Sequence, residues 1–286
     1  MYADDVQIYT HSTPENLVNS IQTINNNLLA ISNWSNCFGL KVNPVKSQVI
    51  IIGSPGMVSR VDYIHLPPIV YNDTFLPYCT TVKNLGVHLD QNMSWSVHIN
   101  NVSRKIFHAI GSLRRLRSML PIPTKIMLAN TLLLPILDYA DASYPNLTED
   151  YLNKLERLQN LAIRFIFNLR KYDHVSEFRS KLKWLPIRSR RNLHTLSLLY
   201  CVLHNEKSPP YLKEMFEFLG AHTNKLRSSE NLALRIPRHS SRFYEHSFAV
   251  RATKLWNDLP LNIRRSISLS IFKKSVKNHY LMDDSP

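Results

Sequence analysis

Between residues 17 and 34, apolar side chains recur three or four places apart at Leu17, Ile21, Ile24, Leu28 and Ile31. That spacing predicts an amphipathic helix. Ser12-Thr13-Pro14-Glu15 supplies a capping hydroxyl, a first-turn proline and a carboxylate for its unpaired N–H groups, and Gly39 supplies a stop. On either side the period is different. Val6-Gln7-Ile8-Tyr9 alternates apolar with polar, the mark of a half-buried strand. Residues 48–52 read as a buried strand, and residues 82–90 as another strand with a turn.

From residue 96 onward the helical period takes over. Ile99, Val102, Ile106, Ile110, Leu113 and Leu116 predict a helix over 96–119, which Pro121 and Pro123 end before a second over 125–137. Thr148, Glu149 and Asp150 cap a third, striped with Leu155, Leu158, Ala162, Phe165 and Leu169. Further helices are predicted over 176–182, 186–204, 210–219, 243–256 and 270–281, with a loop over 221–241. Trp184 and Trp256, each beside a Leu-Pro step, read as core anchors. The fold class is α+β: a small antiparallel part with one helix, followed by a mostly helical remainder.

Composition narrows the setting. The chain has 286 residues, 44% of them hydrophobic, enough for one large domain or two modest ones. No stretch is long and apolar enough to span a membrane, and Asp4 and Asp5 stand where a signal peptide would need an apolar core. Cys37, Cys79 and Cys201 are far apart, which argues against a disulfide framework and a zinc site. An intracellular setting, nucleus or cytoplasm, follows as the expectation. Charge is uneven: residues 1–90 carry 4 Lys/Arg and 6 Asp/Glu, while residues 91–286 carry 31 and 15. The basic part attracts polyanions, of which nucleic acid is the obvious one.

Chemistry concentrates at the start. Tyr2-Ala3-Asp4-Asp5 pairs two carboxylates just before the alternating run, and such a pair suits a hard divalent cation or an ordinary acidic turn. Asp138-Tyr139-Ala140-Asp141 echoes it without adjacent carboxylates and is assigned no metal. In order along the chain come Tyr2-Ala3-Asp4-Asp5, then Gly39-Leu40-Lys41-Val42-Asn43 with Lys46-Ser47, then Lys83-Asn84-Leu85-Gly86-Val87-His88-Leu89-Asp90. Two tail motifs follow, Leu182-Lys183-Trp184-Leu185-Pro186-Ile187-Arg188 and Leu255-Trp256-Asn257-Asp258-Leu259-Pro260. Together they resemble the C-terminal part of reverse transcriptases from non-LTR retrotransposons of the jockey-like type, over nearly the whole chain.

That resemblance implies a partial polymerase palm at residues 1–93, a helical thumb at 94–170 and a basic, mostly helical region at 171–286. It makes Asp4 the principal metal ligand, Asp5 a supporting carboxylate, Lys46 the partner of the leaving pyrophosphate, and Leu85-Gly86 the primer-grip turn. The implied cofactor is Mg²⁺, or Mn²⁺, in two-metal nucleotidyl transfer. The implied partners are an RNA template and a DNA primer, with Arg104, Lys105, Arg114, Arg115, Arg117, Lys154, Arg157 and Arg164 along the backbone. The chain begins one residue before the acidic hairpin, upstream of which the family has another aspartate and the fingers. The expectation is therefore a fragment inactive alone, its missing segment supplied elsewhere if at all. A non-catalytic nucleic-acid-binding protein derived from a retroelement is the alternative.

Overall fold

The computed structural model describes residues 5–219 and 232–283, and its contacts divide the chain into two compact units, Met1–His98 and Ile99–Pro286. Asp4 lies outside the described residues, as does much of the predicted loop over 221–241. The architecture is α+β, with small antiparallel hairpins and a majority of helix.

In the first unit, a 3-10 turn at Pro14–Asn16 leads into α1 (Leu17–Cys37). At its end Gly39 takes φ +67, Leu40 N–H donates to the Ser35 carbonyl at 2.8 Å and Gly39 N–H to that of Asn36 at 3.2 Å. This is a Schellman stop, and the positive φ is why glycine stands there. After a short helix α2 (Pro55–Val58), two hairpins follow: β1 (Ile69–Tyr71) with β2 (Thr74–Leu76), and β3 (Thr81–Asn84) with β4 (Val87–Asp90). The first was not foreseen. Its signal was Asn72-Asp73, residues that tolerate the positive φ (44 and 61) a two-residue hairpin requires.

Helix α1 lies on the first hairpin. Ile21, Ile69, Tyr71 and Leu76 are buried together, flanked by Ile24, Leu28, Ile31 and Val49. Asn25 substitutes for a strand neighbour, accepting from Val70 N–H at 3.1 Å and donating to the Pro68 carbonyl at 3.1 Å. Asp90 fixes the next bend. Its carboxylate accepts from Asn92, Ser94 and Trp95 N–H and from the Ser94 hydroxyl at 2.9–3.1 Å, while Trp95 is buried at φ +66.

Two predicted strands are largely absent. Residues 6–13 form no strand, the described pairing stopping at a single bridge at Asp5. Alternation makes a strand only where a neighbour supplies backbone partners. Residues 48–52 contribute one bridge, Val49 to Tyr78, because Pro77 beside it has no N–H to continue the ladder.

The second unit is helical. α3 (Ser96–Arg114) buries Ile99, Val102, Ile106, Ile110 and Leu113, and ends before the predicted 119. The chain continues in tighter turns, Leu116 N–H donating to the Leu113 carbonyl at 3.1 Å and Arg117 N–H to that of Arg114 at 3.2 Å. The predicted helix over 125–137 is instead α4 (Ile122–Leu128), a π turn (Ala129–Leu133) and α5 (Leu134–Asp138). Pro135 lacks the N–H that would continue regular helix, and the π turn absorbs the break.

α6 (Glu149–Phe167) starts at Thr148, whose hydroxyl accepts from Tyr151 N–H at 3.4 Å. α7 (Ser176–Leu182) and α8 (Ile187–His204) follow as predicted. α9 (Pro210–Lys213) is shorter than foreseen, because Glu217 and Leu219 turn to pair with Ala233 and Arg235. The predicted helix over 243–256 is α10 (Arg242–Glu245) and α11 (Phe248–Asp258), broken where Ser247 caps the second. α12 (Leu261–Arg264) and α13 (Leu269–Asp283) complete it. The Phe272 ring stacks on Tyr200 at 4.6 Å and on Trp256 at 5.7 Å, and Trp184 and Trp256 are both buried.

Candidate nucleic-acid interface

The predicted catalytic residues sit in the first unit. Asp5 is exposed, at a single bridge. Two residues on, the Gln7 amide donates to Asn84 Oδ1 at 2.7 Å, which ties the acidic segment to the β3–β4 hairpin. The Leu85-Gly86 turn is there, with φ of 44 and 85, a type I′ geometry. Leucine in the left-handed region is strained by about 1–2 kcal/mol. Lys46 is exposed at the end of a 3-10 turn, Pro44–Lys46, whose Asn43 accepts from Val45 N–H at 3.0 Å. Among the described residues, no other carboxylate or histidine joins Asp5 in a cluster able to ligate a metal.

The basic residues lie in the second unit, and the structure sorts them. Near the ends of α3 and α6 is a cavity of about 350 Å³, lined by Ile110, Arg114, Arg117, Leu161, Arg164, Phe165, Leu169, Arg170 and Lys171. It brings together Arg114, Arg117 and Arg164 from the predicted backbone contacts. Arg170 and Lys171 join them without being among the predicted contacts. Arg104, Lys105, Arg115 and Arg157 are exposed and do not line it. Lys154 instead donates to Asn100 Oδ1 at 2.6 Å, fastening α6 to α3. With that contact at one end and the cavity at the other, the two helices run in the same direction.

The bonds at this cavity are made to carbonyls. Arg164 donates to the carbonyls of Arg170 and Asp173 at 3.2 Å, and Arg117 to the Leu169 carbonyl at 3.3 Å and to Asn168 Oδ1 at 2.8 Å. Among the described residues, no carboxylate forms an ion pair with Arg114, Arg117, Arg164, Arg170 or Lys171. The nearby Asp173 carboxylate accepts the Arg170 backbone N–H at 2.6 Å.

Beneath lies a residue the helical pattern did not single out. Lys125 is 1% exposed, and its ammonium donates to the same Asn168 Oδ1 at 2.9 Å. Burial first, and the Arg117 charge second, hold it below the ordinary lysine range. Asn168 is placed for this by its left-handed conformation (φ +57) at the end of α6.

The tail arginines have a different environment. Arg190 forms a two-pronged ion pair with Asp138, Arg179 pairs with Glu156 at 2.8 Å, and Arg188 with Glu149 at 2.6 Å. Arg191, 4% exposed, donates to the carbonyls of Asp141 and Tyr144 at 2.9 and 2.7 Å and lies 4.6 Å over the Tyr144 ring. Asp138, Asp141 and His194 hold possible ligand atoms within 4.8 Å of one another, a cluster the sequence did not suggest. His194 Nδ1 is 2.6 Å from Asp141, and Arg190 already grips both Asp138 oxygens. Two guanidinium groups beside the cluster oppose a cation there. The arrangement is an ion-pair network joining α5 and the turn after it to α8.

Comparison with known proteins finds two relatives. The chain is 23% identical over 186 residues to the RNA-directed DNA polymerase from mobile element jockey of Drosophila melanogaster, and 25% identical over 186 residues to that of Drosophila funebris. Each match covers 64% of this chain and 19% of the relative, so the match spans about a fifth of the relatives' length. The chain is thus related to reverse transcriptases of non-LTR retrotransposons. No family model and no solved structure matches. No helix among the described residues is long and apolar enough to cross a membrane.

Proposed function

We propose that this chain is a fragment of an RNA-directed DNA polymerase of a non-LTR retrotransposon, whose second unit lies along a primer–template duplex. Residues 1–93 act as a partial palm and 94–170 as the thumb, with 171–286 as a basic helical support. Asp4 and Asp5 are the metal-ligand remnants, Lys46 faces the leaving pyrophosphate, and Leu85-Gly86 is the primer grip. Mg²⁺ or Mn²⁺ would supply nucleotidyl transfer in the complete enzyme. The 286-residue chain by itself should hold the ion weakly and not extend a primer.

The observation that carries the reading is the cavity of cations without carboxylate partners, in a chain related to polymerases. Five cations on phosphates give a log–log salt slope of about −4.5. The test is binding of an RNA–DNA duplex by fluorescence anisotropy across salt concentrations. Arg117→Ala should weaken binding and flatten the slope by about one, while Asp5→Ala leaves it unchanged. Binding indifferent to the cavity arginines would sink the interface. Primer extension dependent on Asp5 would sink the claim of inactivity. A second reading, a retroelement-derived protein that binds nucleic acid without catalysis, rests on the same cations. Extension restored by adding the upstream polymerase segment would exclude it.

A further inference from the structure

A track for backbone phosphates accounts for the rim of the cavity but not for its floor. The rim is Arg114, Arg117, Arg164, Arg170 and Lys171, whereas the floor is Ile110, Leu161, Phe165 and Leu169. Phosphate contacts need charge and hydrogen-bond donors and gain little from apolar area. A nucleotide drawn out of its stack is anionic at one end and offers an apolar face at the other. The volume, about 350 Å³, is at the small end of ligand cavities.

The charge beneath the rim points the same way. Lys125 and Arg117 share one amide oxygen, Asn168 Oδ1, with no carboxylate between them. A bland reading is that these cations only cap the C-termini of α3 and α6. Each terminus is worth about half a negative charge, and Asp173 adds one. Lys125 and the five rim cations exceed that sum, which leaves a local positive field that favours an anion.

We propose that the cavity between α3 and α6 seats one unstacked nucleotide of a bound strand. Its phosphate lies on Arg114, Arg117 and Arg164, and its base or sugar on the apolar floor. Lys125 does not reach the ligand; it is a positioning residue that holds Asn168, to which Arg117 also donates. The inference rests on the nucleic-acid reading above and goes beyond it by giving the interface a discrete nucleotide site.

The test is calorimetric titration of the full chain with adenosine 5′-monophosphate and with inorganic phosphate at matched ionic strength, beside binding of blunt and singly overhanging duplexes. The nucleotide should bind about tenfold tighter than inorganic phosphate, the gain expected from a modest apolar contact. The overhanging duplex should bind tighter than the blunt one. Leu161→Gln should abolish both differences while general duplex binding persists. If that variant fails to fold, Arg117→Ala should weaken nucleotide and phosphate alike. A nucleotide that binds no better than inorganic phosphate, with duplex binding intact, overturns the site and leaves the interface standing. Absence of duplex binding with the nucleotide preference intact refutes the interface and, with it, the seating of a strand, leaving only a site for a free nucleotide.

Discussion

Two arginine-rich regions of the second unit look alike in sequence and differ in what their charges meet. At the start of α8, Arg188 and Arg190 reach carboxylates, and Arg191 is buried against carbonyls and the Tyr144 ring. At the ends of α3 and α6, Arg114, Arg117 and Arg164 reach carbonyls or nothing charged. A cluster of basic residues therefore says little about function until its counter-charges are located. The first region fastens helices together. The second leaves a positive field for an external anion.

The largest effect that could break this contrast is on stability. Asp138→Ala leaves Arg190 half-buried and unpaired, and should cost roughly 2–4 kcal/mol, slightly less than breaking a fully buried pair. Chemical denaturation measures it, and duplex affinity of the folded variant should not change. A variant as stable as wild type but weaker in binding would reverse the assignments.

A smaller effect sharpens the contrast through pH. Burial pushes Tyr280, packed against the tail core, from 10.0 up to about 12. Between those values the unfolded chain loses its proton first, so stability should fall by roughly 2–3 kcal/mol as pH rises. Lys125 has the opposite sign. Its folded value lies below 10.5, so the folded chain releases its proton first and stability rises as pH climbs toward that value. Denaturation curves should separate the two, with Tyr280→Phe removing the loss and Lys125→Met the gain.

The smallest expected effect is the most selective. Arg114→Ala, exposed on the cavity rim, should change stability by less than about 0.5 kcal/mol yet weaken duplex binding. Arg115→Ala, one residue away and outside the cavity, should weaken it less. Equal losses from the two variants would mean that only total charge matters.

Some of this was legible in the residues. α1 followed from apolar spacing and its Gly39 stop, although the predicted hydroxyl cap does not form at its start, and α6 from apolar spacing and its Thr148 cap; α7 and α8 also formed where predicted, because a helix satisfies its backbone within one segment. Leu85-Gly86 read as a turn for a similar reason. Residues 6–9 and 48–52 did not become strands, since alternation records which faces could be buried and not whether a neighbour offers hydrogen bonds. The first hairpin, β1–β2, was overlooked although Asn72-Asp73 marked it.

For this chain, sequence alone determined the helical pattern, the uneven charge and the likeness to mobile-element polymerases, since periodicity, composition and motif order are all linear properties. Only tertiary structure decided which cations remain without a counter-charge, that Lys125 is buried beneath Asn168, and that Asp138, Asp141 and His194 meet. The last two depend on groups 43 to 56 positions apart in the chain. Coulombic balance depends on distance through space, which residue order does not record.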